Sequence, residues 1–306
     1  MPRPFRFAVQ TGPFGEPETL RGYAQRVEEL GYDELFSFDH LGAVDPFLPL
    51  LVAAEATTTL RFGPLVLNNE FHNPALLART AATFDALTGG RLVLGLGTGY
   101  MRSEHDAASI ELRVPGERVT RFAETVPAIR QLLDDGTCTF AGRHVSLRID
   151  DLGVRPVQTH VPILIGGHGR RVVSVAAEHA DVFQFTGLVH HPVTGAPSGA
   201  GFAIAHVERR RDWLRDAAGG RTDHIELSAL VQATHVGEGW EDAAEKFAVA
   251  IAADRDVVDE TPFALIGSPD SIVDKLHRLR ERLGISHFVV RDPEGFAPIV
   301  AKLAAT

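Results

Sequence analysis

The sequence predicts a single (β/α)8 TIM barrel, and three observations carry that reading. Strand-like and helix-like segments alternate from end to end. Eight such βα units follow one another, with apolar strands of barrel length. The first strand runs into Thr11-Gly12-Pro13-Phe14-Gly15, which lacks the glycine spacing that a doubly wound open sheet carries at this point. A chain of 306 residues is within reach of one α/β barrel. Residues 1–306 are therefore read as one domain, with insertions at the C-terminal face of the barrel.

The elements follow in order. Phe5 to Gln10 is rich in Phe and Val and reads as the first strand; Leu20, Tyr23, Ala24, Val27 and Leu30 then recur at helical spacing until Gly31. Glu34 to Asp39 is the second strand, and a helix runs from about Pro46 to Ala56. Arg61 to Leu67 and Pro74 to Leu87 form the third pair, and Arg91 to Leu96 is the fourth strand. Phe122, Val126, Ile129 and Leu133 mark its helix, and an inserted hairpin is expected near Phe140 to Val145. Val161 to Ile165 with Arg170 to His179 is the fifth unit. Val182 to Phe185 with Ala203 to Ala218 is the sixth, the two parted by a long Gly-, Pro- and His-rich loop from Gly187 to Gly201, read either as a lid or as a disordered connection without function. Glu226 to His235 reads as one seventh strand, followed by a helix from Trp240 to Ala252. Ile272, Leu276, Leu279 and Leu283 mark another helix, His287 to Arg291 the eighth strand and Phe296 to Leu303 a last helix.

Composition excludes several functions. The net charge of −10 argues against nucleic acid, which needs a basic face. The one basic run, Arg209-Arg210-Arg211, is read as a solvated helix face. A lone cysteine, Cys138, fits a reducing compartment, and no secretion signal or membrane-spanning stretch is seen, so a cytoplasmic protein is expected. The 14 histidines have no metal-ligand spacing, His190-His191 included, so no metal is expected.

In a barrel of this kind chemistry sits where the strands end. Strand two ends in Asp39-His40, a carboxylate beside an imidazole that titrates near neutrality. Strand three ends in Asn68-Asn69 before Pro74. Strand four ends Gly95-Leu96-Gly97-Thr98-Gly99-Tyr100, where alternate glycines let backbone approach a planar ligand. Strand five ends Gly166-Gly167-His168-Gly169-Arg170 at a helix start, where amide groups and the helix dipole favour an anion and Arg170 and Arg171 add cations.

Taken together, Ala24-Gln25-Arg26-Val27-Glu28-Glu29-Leu30-Gly31-Tyr32-Asp33, Asp39-His40-Leu41, Asn73-Pro74-Ala75-Leu76, Leu87-Thr88-Gly89-Gly90-Arg91-Leu92, Gly95-Leu96-Gly97-Thr98-Gly99, Val161-Pro162-Ile163-Leu164-Ile165-Gly166-Gly167 and Gly267-Ser268-Pro269-Asp270 resemble the luciferase-like monooxygenases over nearly the whole chain. The resemblance is strongest to the branch that uses coenzyme F420, a deazaflavin. It implies a bacterial-luciferase-like barrel with Asp39 and His40 beside the deazaflavin ring. A non-prolyl cis peptide at Leu65–Val66 would lie behind the ring, with Asn68 nearby. Thr98 and Gly99 would meet the ring edge, and Gly166, Gly167, His168 and Arg170 the phosphate.

One departure is Tyr100, where the family's sugar-phosphate dehydrogenases carry Glu; nearby Glu104 is a second candidate acid, or else a helix-start carboxylate. The expectation is a homodimeric F420-dependent oxidoreductase that moves a hydride between C5 of the deazaflavin and a small organic substrate. His40 would handle the substrate proton and Asp39 would orient it. Two rivals stay open. One is an FMN-dependent monooxygenase; the other is a catalytically silent flavin-binding barrel, against which the intact Asp39-His40 pair weighs.

Overall fold

The computed structural model describes residues 2–12, 15–191 and 196–304. Numbering the barrel strands alone, these are β1 (Arg6–Gln10), β2 (Glu34–Ser37), β3 (Arg61–Pro64, resumed at Leu67–Asn68), β4 (Leu94–Gly97), β5 (Ile163–Gly166), β6 (Val182–Phe185), β7 (Glu226–Leu230) and β8 (Ile285–Val290). Each pairs in parallel with the next, and β8 returns to β1 through Phe7↔Phe288 and Val9↔Val290. A bridge from Phe62 to Leu92 and the pairing Leu67↔Leu96 close the ring between β3 and β4.

Alternation of side chains across each strand fills the ring from inside. Ala8, Phe36, Leu65, Val93, Leu164, Val182 and Val289 form that inner cluster, all buried. The opposite faces of the same strands pack on the helices, as with Leu35, Phe62, Ile163, Phe183 and Phe288. At the N-terminal end of the ring the filling is ionic. Arg6 meets Glu34 and, at 2.7 Å, Glu226, while the His287 ring lies 2.7 Å from the second oxygen of Glu34. That last approach is off the hydrogen-bond direction and is an ionic contact.

The third strand is broken by a cis peptide at Leu65–Val66. Leu65 N–H still donates to Ser37 O (2.8 Å), and its carbonyl accepts from Gln10 Nε2 (2.7 Å). The break fits because β4 is glycine-rich. A Cβ on Gly95 would lie 2.1 Å from the Pro64 carbonyl oxygen, and one on Gly97 would lie 2.6 Å from Val66 Cγ2. The alternate glycines therefore make room for the neighbouring strand rather than for a ligand alone.

Four expectations change. The seventh strand is not continuous to His235. The chain leaves the ring at Val231, where Gln232 N–H turns to Phe263 O, and Ala233–Val236 pairs instead with Ala264–Gly267, a strand the sequence reading passed over. The fourth helix begins at Pro115, not near Phe122, and short helices stand at Arg102–Ala108 and Arg255–Glu260. The Gly187–Gly201 segment holds a small ladder, Val189–His190 with Pro197–Ser198; the centre of the candidate lid, 192–195, lies outside the described residues. Arg210 is 3% exposed, not solvated, with its guanidinium over the Phe185 ring. The inserted hairpin is present as Cys138–Ala141 with Ser146–Ile149. Among the described residues no helix is long and apolar enough to cross a membrane.

Candidate active site

A cavity of about 710 Å³ opens at the C-terminal end of the ring. Asp39, His40, Leu65, Val66, Asn68, Thr98, Gly99, Glu104, Gly166, Gly167 and His168 all line it; Arg170 does not, and is exposed.

His40 and Glu104 come together across 64 positions, with Nδ1 2.7 Å from Glu104 Oε1. A carboxylate can only accept here, so Nδ1 carries the hydrogen and Nε2 is left for the cavity. Glu104 is buried in the first turn of the helix Arg102–Ala108. The expectation that Asp39 orients His40 is corrected. Asp39 Oδ2 instead accepts from Asn68 N–H and from the His72 ring, both at 2.9 Å. Asp39 thus ties the exit of β2 to that of β3, while His40 takes its partner from the segment after β4.

Both ends of the Asn68 amide meet protein partners: Oδ1 accepts from Glu70 N–H (3.1 Å), and Nδ2 donates one of its two hydrogens to His105 Nε2 (3.0 Å). Gly99, at φ +74°, lies against it; a Cβ there would be 2.0 Å from Asn68 Oδ1. Tyr100 stacks on His190 with ring centroids 3.9 Å apart. Burial, then Glu104, pushes the Tyr100 hydroxyl up, and burial, then His40, pushes His190 down.

At the opposite side, Gly166–Gly169 leads into the helix Arg170–His179, whose first turn has no side-chain cap. A Cβ on Gly169 would meet nothing, whereas one on Gly167 would lie 2.6 Å from Val172 Cγ1. His168 faces the cavity but both ring nitrogens are taken. Arg210 Nη1 donates to Nδ1 (2.9 Å), so Nε2 carries the hydrogen and donates to Thr186 Oγ1 (2.7 Å). Burial, then Arg210, lowers His168 to about 4, which keeps it neutral.

The sequence reading looked for the cation of this pole in Arg170 and Arg171. Arg171 is spent on Gly116 O and Thr120 Oγ1. The cation lining the cavity here is Arg118, 6% exposed, which the sequence reading missed. Its Nη1 donates to Arg113 O (2.7 Å), and its Nε is buried with no partner. Glu70, the nearby carboxylate, is paired with Arg113 (2.7 Å) and Arg121 (3.3 Å). Gln10, Gln232 and Arg291 line the cavity as well, and the sequence reading does not single them out. Arg291 stands at the end of the eighth strand, a position that the barrel topology alone marks for inspection.

Comparison with known proteins gives a consistent picture. The family described as luciferase-like monooxygenase matches residues 3–196. The chain is 26% identical to a 5,10-methylenetetrahydromethanopterin reductase of Archaeoglobus fulgidus, over 95% of this chain and 94% of that one. It is 32% identical to an F420-dependent glucose-6-phosphate dehydrogenase of Amycolatopsis mediterranei, over 56% of this chain and 54% of the other. Among solved structures, a coenzyme F420-dependent tetrahydromethanopterin reductase from Methanopyrus kandleri superposes with a TM-score of 0.76 at 19% identity, covering 98% of this chain and 97% of its own.

Proposed function

The chain belongs to the luciferase-like monooxygenase family, and from that membership we propose that it is a coenzyme F420-dependent oxidoreductase acting on a small organic substrate in the barrel mouth. The relatives named for F420 support the cofactor. The observation that carries the chemistry is the His40–Glu104 pair, an imidazole held by a buried carboxylate with one nitrogen open to the cavity.

The residues present fit the cofactor. The uncapped helix start after Gly169 offers amide donors without intrahelical partners. Arg118, whose Nε is buried without a partner, lines the adjoining wall. Among the described residues the one carboxylate acting on this buried guanidinium, Glu70, is shared with Arg113 and Arg121, so an anion there would relieve the cost of burying the charge. Gly166, Gly167 and Arg118 would hold the phosphate. Leu65 and Val66 would support the face of the ring, and Asp39, Asn68, Thr98 and Gly99 its edge. When bound, the deazaflavin supplies a carbon that gives or accepts a hydride.

His40 Nε2, unprotonated while Nδ1–H is donated to Glu104, takes the substrate proton in one direction and, as the imidazolium that Glu104 stabilises, returns it in the other. Asp39 acts on the floor, not on His40, by anchoring Asn68 and His72. A homodimer in the cytoplasm belongs to the same proposal, and sedimentation equilibrium checks the oligomeric state.

The test is titration of the purified protein with F420 and with FMN, followed by turnover of His40→Ala. F420 should bind more tightly than FMN. His40→Ala should lose about 10²–10⁴-fold in turnover with cofactor affinity nearly unchanged. Tighter FMN binding sinks the cofactor assignment, and a fully active variant sinks the role of His40.

A further inference from the structure

The cavity has a second cation, on the side away from Arg118. Arg291 follows β8 and lines the cavity with Gln10, Leu230 and Gln232. Its Nε donates to Gln10 Oε1 (3.2 Å) and its Nη1 to Gln232 Oε1 (3.0 Å). Both acceptors are neutral amides, and each is itself fixed. Gln10 Nε2 donates to Leu65 O (2.7 Å) and Gln232 Nε2 to Leu230 O (3.2 Å). Among the described residues no carboxylate lies within ion-pairing distance of Arg291, and Asp292 next to it is occupied in capping Gly295 N–H (2.9 Å). Arg291 is exposed at the rim of the cavity, and partial desolvation there, with no neighbouring charge to oppose it, lowers its guanidinium.

An arginine has five N–H donors. Two are used by the glutamines, so three remain on the guanidinium fork, one on Nη1 and both on Nη2. Resting on the functional reading above, the phosphate end of the cofactor occupies β5 and its ring lies over the β3 floor. The sector from β7 through β8 to β1 is then left for the substrate, and Arg291 is the cation that faces it. We propose that this fork selects substrates bearing a carboxylate, with Arg291 as the specificity-determining residue and Gln10 and Gln232 as its positioning residues. The planar fork matches a carboxylate edge. A single fork suits one monoanionic group, since the helix start that follows it at Pro293 is already served by Asp292.

The experiment uses the full chain, with and without F420, and a series of straight-chain carboxylates from acetate to hexanoate against the matching primary amides at constant ionic strength. Binding is read by calorimetry, and F420 affinity separately by cofactor fluorescence. The wild type should bind carboxylates about tenfold or more tightly than amides, the weight of one charge-assisted hydrogen bond. Arg291→Gln should abolish that discrimination and leave F420 affinity within about twofold, while Arg291→Lys, which keeps the charge but not the fork, should restore it in part. Equal binding of acids and amides to the wild type overturns the proposal. So does discrimination that survives in Arg291→Gln, or loss of F420 affinity without loss of discrimination. Failure of the wild type to bind F420 strikes the functional reading instead, and the acid–amide comparison on the cofactor-free chain still decides this one.

Discussion

Replacing Glu34 by Gln tests the ionic plug at the N-terminal end of the barrel. Burial alone would push the Glu34 carboxyl up, but His287 and Arg6 outweigh it and hold it at about 2, against an ordinary 4.5. At 1.36 kcal/mol per decade, that separation is worth ~3 kcal/mol of stability. Because the folded value is the lower one, the contribution is complete above about pH 4.5 and disappears as pH falls toward 2. His287 has the opposite sign. Burial opposes its charge, but Glu34 raises it above 6.5, so its contribution is complete below that pH and fades as pH rises through the raised value. Urea unfolding followed by circular dichroism from pH 3 to pH 8 reads both limbs. Glu34→Gln should be less stable by ~3 kcal/mol near pH 6, in line with the cost of breaking a buried pair. The deficit should narrow in acid, and the alkaline decline due to His287 should flatten. A deficit independent of pH would refute the argument, because it would mean that Glu34 acts by packing and not by charge.

Three further outcomes follow from the site. Glu104→Gln should lower kcat by about 10- to 100-fold, less than loss of His40 itself, with F420 affinity unchanged in a fluorescence titration; a fall in affinity alone would make Glu104 part of the binding wall. Gly167→Val should weaken F420 binding by about tenfold or more, because even its Cβ would lie 2.6 Å from Val172 Cγ1 and the loop must shift; calorimetry checks it. Arg118→Gln should raise the Kd for F420 by about 10- to 100-fold at low salt, the range for one or two charge-assisted hydrogen bonds. The effect should be smaller for an uncharged riboflavin analogue, and equal losses for both would remove Arg118 from the phosphate pole.

The barrel was legible because each strand buries both faces, which leaves short apolar runs, and each helix shows a core stripe. Legibility failed where burial is one-sided or the element is short. Glu226 to His235 reads as one unbroken strand in sequence, yet its second half pairs with Ala264–Gly267 outside the ring; residue pattern does not say which partner a strand takes. Arg102–Ala108 has 7 residues and Arg255–Glu260 has 6, too few for a 3.6-residue period to emerge. Arg118 was hidden for a related reason. It sits in the polar opening turns of Pro115–Asp135, before the apolar stripe begins, and only Pro115 at the first helical position signals that start. The Asp39-His40 pair shows the limit of adjacency: neighbours in sequence took partners on different elements, Asn68 and His72 for one and Glu104 for the other. Arg210, third from the end of no motif and flanked by two more arginines, gave no sign that its guanidinium would be packed beside His168.

Gln10 is hydrogen-bonded on one side to the carbonyl of Leu65 and on the other to Arg291. One amide therefore joins the floor on which the cofactor would rest to the rim where the acid would dock. Rotating that amide by half a turn would put a donor against Arg291 and an acceptor against a carbonyl, so the orientation seen is enforced from both ends at once. Remodelling this enzyme for uncharged substrates is then not a matter of replacing Arg291 alone. With the guanidinium gone, the Gln10 oxygen loses the donor that fixes it, and substitutions at positions 10 and 291 should be epistatic even though the two residues are 281 apart in the chain.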